Sequence, residues 1–370
     1  MPVLASRRYA TVEVEVEEMR GDEIVAVSLG ASGALGRTVW SSAAAQRAGI
    51  GALRDHPYMI DAAGWPMRVA IADWLDVELP VTERINELLY SAIDEAIEPI
   101  LEANIAPFKI GLSLGFPAVR PGLAEGSVSR ITSMLRHRYR GTFSSLAIFE
   151  TGHAGGLMAM NAAIQSLKHG RLDACVVAGA DSYFDPLTLE WLDATSRLHA
   201  SGMPRRSWGF TPGEAGGALL LMRMQAARAA GLEPMVEVLA CASAFEPQGI
   251  RSDGVCIGTG LSDCFRSVLG GLPDGNSVTD IYCDMNGEPY RADEYGFAAL
   301  RTGDSFESVS DFETPADCWG DVGAASGPLG GCLAICAAVK GYSRGSIALI
   351  FTSSDAGQRA AAVLRHASPG

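Results

Sequence analysis

Short apolar runs alternate along this chain with amphipathic or small-residue stretches. Residues 23–29 (EIVAVSL), 108–115 (FKIGLSLG), 144–149 (SSLAIF), 175–178 (CVVA) and 217–222 (GALLLM) read as strands. Residues 236–242 (VEVLACA), 279–283 (TDIYC) and 346–352 (SIALIFT) continue the series. Between them, residues 85–101 and 127–138 read as helices. Two further stretches, 154–167 and 324–339, carry no charge and many small residues. A helix without a polar stripe has to be buried on several sides, so both predict helices enclosed by other layers. The alternation as a whole predicts an α/β fold with largely parallel sheets.

The late segments of the chain repeat earlier ones. The first uncharged helix leads to Lys168-His169-Gly170, an apolar strand and Gly179-Ala180-Asp181. The second leads to Lys340-Gly341, an apolar strand and Ser353-Ser354-Asp355. The lysines lie 172 residues apart and the aspartates 174, which reads as an internal duplication of an α/β unit. The expected division is an N-terminal half over residues 1–230 and a C-terminal half over 231–370. No Pro/Ser-rich linker separates them, so the halves are expected to form one body.

Composition narrows the possible partners. The net charge of the 370 residues is −14, which argues against nucleic acid or an anionic membrane as main partner. Only 19% of residues are charged and 42 are Gly, as expected of closely packed, buried elements. The N-terminal residues contain no apolar signal core, and the uncharged runs are too rich in Gly, Ala, Ser and Pro to be good membrane spans. A cytoplasmic protein is expected. The eight Cys include no CxxC pair and fall mostly in apolar stretches, which suits buried thiols in a reducing compartment. Their spacing suggests no metal, and no cofactor is expected.

Four turns could carry chemistry: residues 150–156, 283–289, 317–323 and 352–357. In α/β sheets, functional groups gather where strand C-ends meet helix N-ends. The first turn puts His153 at the start of a buried helix, where the helix dipole favours a neutral imidazole or an anion. Asn286-Gly287 could be a simple turn, and Asp321 and Asp355 could be caps. The duplication gives these turns a shared location, because it brings them to one end of the body.

Three segments carry a resemblance: residues 151–181 (TGHAGGLMAMNAAIQSLKHGRLDACVVAGAD), 208–218 (WGFTPGEAGGA) and 320–327 (GDVGAASG). With the order of elements, they resemble the thiolase fold, and within it the β-ketoacyl synthases (3-oxoacyl-ACP synthases) of fatty acid and polyketide synthesis. The resemblance covers residues 24–364. It implies a five-layer αβαβα body made of two duplicated halves. It also implies a dimer formed through the edge strand at 144–149.

The same alignment of motifs shows departures. The family's nucleophilic Cys falls on His153, its first catalytic His on Asn286 and its second on Asp321. The family's supporting Lys falls on Ala316, and its gating Phe turn falls on Ser354-Asp355-Ala356-Gly357. The segment between the second uncharged helix and the last strands is also shorter than in the family. Asp355, Glu214 and Thr151 are expected to line the pocket, with Asp355 making its entrance more polar. Condensation needs a thiolate to hold the acyl group, and two donors to stabilise charge on the thioester oxygen. Here the thiol is missing, and Asp321 puts an anion where a donor belongs.

Three functions follow. The first is a non-condensing relative, a pseudoenzyme that binds an acyl group or shapes the tunnel of an active synthase-like partner. The second is an acyltransferase or a thioester or ester hydrolase, with His153, Asn286, Asp321 and Asp355 as a remodelled polar site. The third is ordinary 3-oxoacyl-ACP synthase activity. The partners implied are acyl carrier protein or acyl-CoA, and a second subunit in a homodimer or heterodimer. An acidic surface suits an acidic carrier poorly, which favours a role beside a partner or on a different substrate.

Overall fold

The computed structural model describes residues 23–103, 109–199, 208–250, 252, 254–273 and 275–366. Residues up to 230 supply β1 (Ile24–Gly33), α1 (Val39–Arg47), the hairpin β2 (Leu53–Ile60) and β3 (Pro66–Ala70), and α2 (Val81–Glu102). They continue with β4 (Ile110–Gly115), α3 (Ser127–Arg138), β5 (Ser145–Phe149), α4 (Gly155–Lys168), β6 (Ala174–Ser182), α5 (Pro186–Ala194), β7 (Glu214–Arg223) and α6 (Met224–Ala229). The rest supplies β8 (Val236–Phe245), α7 (Thr259–Leu269), β9 (Asp280–Cys283), α8 (Pro289–Thr302) and β10 (Phe312–Glu313). It ends with α9 (Ala316–Trp319), α10 (Ser326–Val339), β11 (Ile347–Ser353) and β12 (Gln358–Arg365).

Ten strands join in the order β10-β9-β11-β12-β8-β1-β7-β6-β4-β5. At the centre β8 and β1 pair antiparallel. Outward from that contact both sides follow one rule: two antiparallel pairs, then two parallel ones. The same order of pairings thus repeats on the two sides of the sheet, the pattern a duplication would give. The expectation of largely parallel sheets is corrected to mixed ones. The reason lies in the connections: β11 returns directly as β12 through a hairpin, and β7 comes back antiparallel after the excursion that contains α5.

Five layers result. α2 packs on β1, β7 and β6, with Ile85, Leu89 and Ile93 in the outer core. α4 and α10 lie in the middle and contact strands from both ends of the sheet. α7 and α8 cover β8, β12 and β11 through Leu261, Phe265 and Tyr295. The uncharged helices are therefore enclosed, as their missing polar stripe requires. Residue 108 of the second predicted strand lies outside the described residues; that strand begins at Ile110. β5 sits at the edge of the sheet, with Ser145 and Ile148 exposed and none of its residues fully buried. Among the described residues no helix is long and apolar enough to cross a membrane. All eight cysteines are free and six are buried.

Small residues set the spacing of the middle layer. A Cβ on Gly156 would lie 2.3 Å from Pro328 Cδ of α10. A Cβ on Gly179 of β6 would lie 2.3 Å from the Ala324 carbonyl oxygen, which is backbone and cannot rotate away. Gly179→Ala is expected to destabilise the fold by ~1–3 kcal/mol through overpacking. Urea unfolding checks this, and a midpoint equal to wild type would show that the layers can separate freely.

Candidate functional site

The site forms where the starts of the two enclosed helices meet. Gly152, at φ +74°, lets the chain leave β5 and turn into a short 3-10 segment that carries His153. The Ala154 N–H that follows donates to Ser354 Oγ at 2.9 Å, tying this turn to the β11–β12 hairpin. Asp321 is fixed by backbone: its N–H donates to Thr211 O and its carbonyl accepts from Gly213 N–H, both at 2.7 Å. Its Oδ1 also accepts from Gly323 N–H at 2.8 Å, two residues on, so Asp321 forms the turn ahead of α10. The same carboxylate faces His153.

His153 Nε2–H donates to both Asp321 oxygens, at 2.9 and 3.0 Å. Asn286 Nδ2 donates to Asp321 Oδ2 at 2.5 Å. The three residues placed on the family's catalytic positions are therefore in direct contact. Arg291 Nη2 lies 3.3 Å from His153 Nε2. Its Nη1 donates to Asp284 Oδ2 at 2.8 Å and to Ser353 O at 2.7 Å. Arg197 bridges Glu288, at 2.7 Å from Nε, and Asp355, at 2.6 Å from Nη1. Tyr290 OH donates to Asp355 Oδ1 at 3.1 Å. On the other side Arg120 Nη2 donates to Asp181 Oδ1 at 2.6 Å and to Ser182 O at 2.7 Å. Asp181, at one end of the repeat, thus holds Arg120, and Asp355, at the other, holds Arg197 with Arg291 at 3.8 Å.

Charge bookkeeping explains the state of His153. Five carboxylates (Asp181, Asp284, Glu288, Asp321 and Asp355) face three guanidiniums (Arg120, Arg197 and Arg291). Burial alone would neutralise the imidazole, which is 4% exposed. The Asp321 charge and hydrogen bond outweigh that burial and the repulsion from Arg291, and hold His153 above its ordinary value of 6.5. Burial opposes ionisation of Asp321 too, but His153 and Arg291 hold it well below the usual carboxylate range. Arg197 and Arg291 do the same for Asp355. The Asp321 carboxylate thus opposes the helix start, which by itself favours a neutral imidazole.

A pH profile follows with a fixed sign. The His153 contribution to stability is complete below about 6.5 and fades as pH rises through the raised folded value. The contributions of Asp321 and Asp355 are complete above about 4 and fade as pH falls through their depressed values. The urea midpoint of wild type is therefore expected to decline on the alkaline side, and His153→Gln should decline less steeply there. Equal alkaline slopes would remove His153 from this account.

A cavity of about 180 Å³ opens beside the network. His153, Thr151, Arg120, Arg197, Asp355 and Tyr183 are among its walls. An internal cavity of ~150 Å³ holds a benzene-sized molecule, so there is room for one small group and some water. Thr151 and Asp355 line this cavity. Glu214 does not. Its carboxylate is fully buried, accepts from Arg84 Nε and Nη2 at 2.8 and 2.6 Å, and lies outside the cavity walls. No cysteine among the described residues lines this cavity. Cys283 donates to Glu313 O at 3.3 Å, and burial pushes its thiol up. The sequence reading missed all three arginines, and no local motif marks them.

The layered, duplicated sheet and the site at its converging helix starts define a thiolase-like ketosynthase fold. A chain from a type II polyketide synthase acyl-carrier protein in complex with its ketosynthase superposes with a TM-score of 0.74 at 14% identity, over 94% of this chain and 100% of that one. The ishigamide ketosynthase/chain length factor gives 0.65 at 22% identity, over 93% and 99%. Residues 145–227, which include His153, match the family model of the β-ketoacyl synthase N-terminal domain. The sequence is similar to a protein named polyketide β-ketoacyl synthase 1 from Streptomyces cyaneus, 25% identical over 53% of this chain and 58% of that one. It is also similar to the actinorhodin polyketide β-ketoacyl synthase 2 of Streptomyces coelicolor, 30% identical over 42% and 39%. The matched stretches span less than two thirds of these relatives. The chain is thus similar in sequence to proteins named polyketide β-ketoacyl synthases, and in fold to ketosynthases.

Proposed function

We propose that this protein is a non-condensing ketosynthase-like subunit of polyketide-type synthesis, working beside a condensing partner. One observation carries the reading: the nucleophile position holds His153, bonded to Asp321 inside a buried network of ion pairs. Acyl transfer to the protein needs a nucleophile that can be freed, and here the group is an imidazole whose Nε2 is engaged by the Asp321 carboxylate. An enolate forming beside Asp321 would meet a fixed negative charge, where loss of one donor alone costs about 10²–10³ in rate. The network is better suited to holding the two halves of the chain in register. The same geometry weighs against a hydrolase or acyltransferase built on His153, because the Nε2 that would take a proton is occupied by Asp321 and lies 3.3 Å from the Arg291 guanidinium.

The exposed edge of β5 suits pairing with a second ketosynthase-like subunit, since an open edge offers unpaired backbone groups. The carrier protein would then be recruited by the pair.

The test is intact mass after incubation with acyl-CoA and acyl carrier protein donors. An unchanged mass is expected, with donor hydrolysis no faster than in His153→Ala. A stable adduct on any cysteine would overturn the proposal. Ile148→Lys on β5 is expected to abolish the dimer in light scattering. A dimer that survives it would place the interface elsewhere.

A further inference from the structure

A basic strip interrupts the acidic surface beside the open edge of β5. Residues 127–140, which are α3 and the turn after it, hold four arginines and no acidic residue, in a chain of net charge −14. Two of the four are already paired: Arg130 meets Glu83 and Arg138 meets Asp94. Arg136 and Arg140 are exposed, and among the described residues neither has a carboxylate partner. They rim a groove of about 320 Å³ between the end of α3 and β5, whose apolar walls include Leu135, Phe143 and Leu146. Glu150, directly after β5, is also exposed and has no basic partner among the described residues.

Strand geometry decides what reaches this groove. Leu146 packs against the outer core and Phe149 against the middle one. Side chains alternate along a strand, so Leu146, Ile148 and Glu150 share the outer face, where the groove lies. A second copy related by a two-fold axis would add its own β5 antiparallel to this edge, and such an axis keeps the two outer faces on one side. The register that overlaps all of Ser145–Phe149 sets Ala147 against its own copy. Ile148 then stands opposite Leu146 of the second copy, and Glu150 opposite its Ser144, beside the turn that carries Arg140. The axis repeats both contacts.

We propose that a second copy of this chain covers the β5 edge, and that Glu150 of each copy pairs with Arg140 of the other, with Arg136 beside it. The inference rests on β5 being the pairing edge, and it names the occupant. Charge selects that occupant. Two copies of an acidic chain repel each other, and this is a place where an unpaired carboxylate and unpaired guanidiniums of the same chain are brought together by its own two-fold pairing. Ile148, the exposed apolar residue of the strand, then covers Leu146 and the groove walls next to it. The charges fix the register, and the apolar contact supplies the burial.

The experiment measures dimer dissociation of the full chain by analytical ultracentrifugation. Wild type is expected to be a dimer. Arg140→Glu and Glu150→Arg each set like charges against one another, twice per interface, and each is expected to weaken the dimer by about tenfold. Mixed one to one, the two variants should associate again with nearly wild-type affinity, because both contacts then join opposite charges. Recovery on mixing separates lost pairing from misfolding, and weakened dimers that mixing does not rescue would overturn the proposal. Loss of the dimer in Ile148→Lys with no effect of either charge reversal would overturn the charge pairing and keep β5 as the edge. A monomeric wild type would overturn pairing with a second copy and leave the non-condensing reading in place.

Discussion

Asp321→Ala is expected to destabilise the protein by ~3–5 kcal/mol, the range for breaking a buried ion pair by removing one partner. The carboxylate is 3% exposed and accepts from His153, Asn286 and the Gly323 N–H. Removing it leaves a buried imidazole and the Gly323 N–H without their acceptor, leaves the Asn286 amide with Glu288 alone, and leaves Arg291 facing His153 with less compensation. His153→Ala should cost less, because Asp321 then keeps Asn286, Gly323 and the nearby Arg291 charge. The asymmetry is the informative part. A double-mutant cycle by urea unfolding should give a coupling between the two residues and a larger single effect for Asp321. An Asp321→Ala variant within about 1 kcal/mol of wild type would mean that the network is solvated and does not hold the helix starts together.

The sequence made the convergence of His153, Asn286 and Asp321 readable because each lies in a turn beside a strongly patterned element. The two enclosed helices were readable for a similar reason: long uncharged stretches have few other places to go. The arginines were not readable. Arg197 meets an aspartate 158 residues away, and Arg120 meets one 61 residues away, so no local pattern links the partners. Arg291 lies on α8, which opens with Pro289 and contains Gly296 in mid-helix, a composition that blurs helical spacing. β12 was hidden differently. Its run of Ala360, Ala361 and Ala362 favours helix by propensity, yet it is fully buried as a strand between β8 and β11. Tertiary packing overrode the local preference.

Glu214 shows how a motif can mislead about direction. It lies beside Pro212-Gly213 in a segment that resembles a pocket motif, but side chains alternate across a strand. Residues 214 and 216 of β7 share a face. A Cβ on Gly216 would meet the Leu88 carbonyl of α2, whereas one on Gly217 would meet Leu329 of α10. Glu214 therefore points to the outer layer, where it holds Arg84, the Ala72 N–H and the Ser182 hydroxyl. Glu214→Ala is expected to cost ~3–5 kcal/mol, because a fully buried guanidinium is left uncompensated. Replacing both partners with apolar residues of similar volume should recover most of that loss, since a buried pair repays its desolvation poorly. Urea unfolding of Glu214→Ala and of Arg84→Met/Glu214→Leu checks this. If Glu214 served the cavity instead, the single variant would fold almost normally and ligand binding would change. A double variant no more stable than Glu214→Ala would show that the Ala72 and Ser182 bonds, rather than the ion pair, account for the effect.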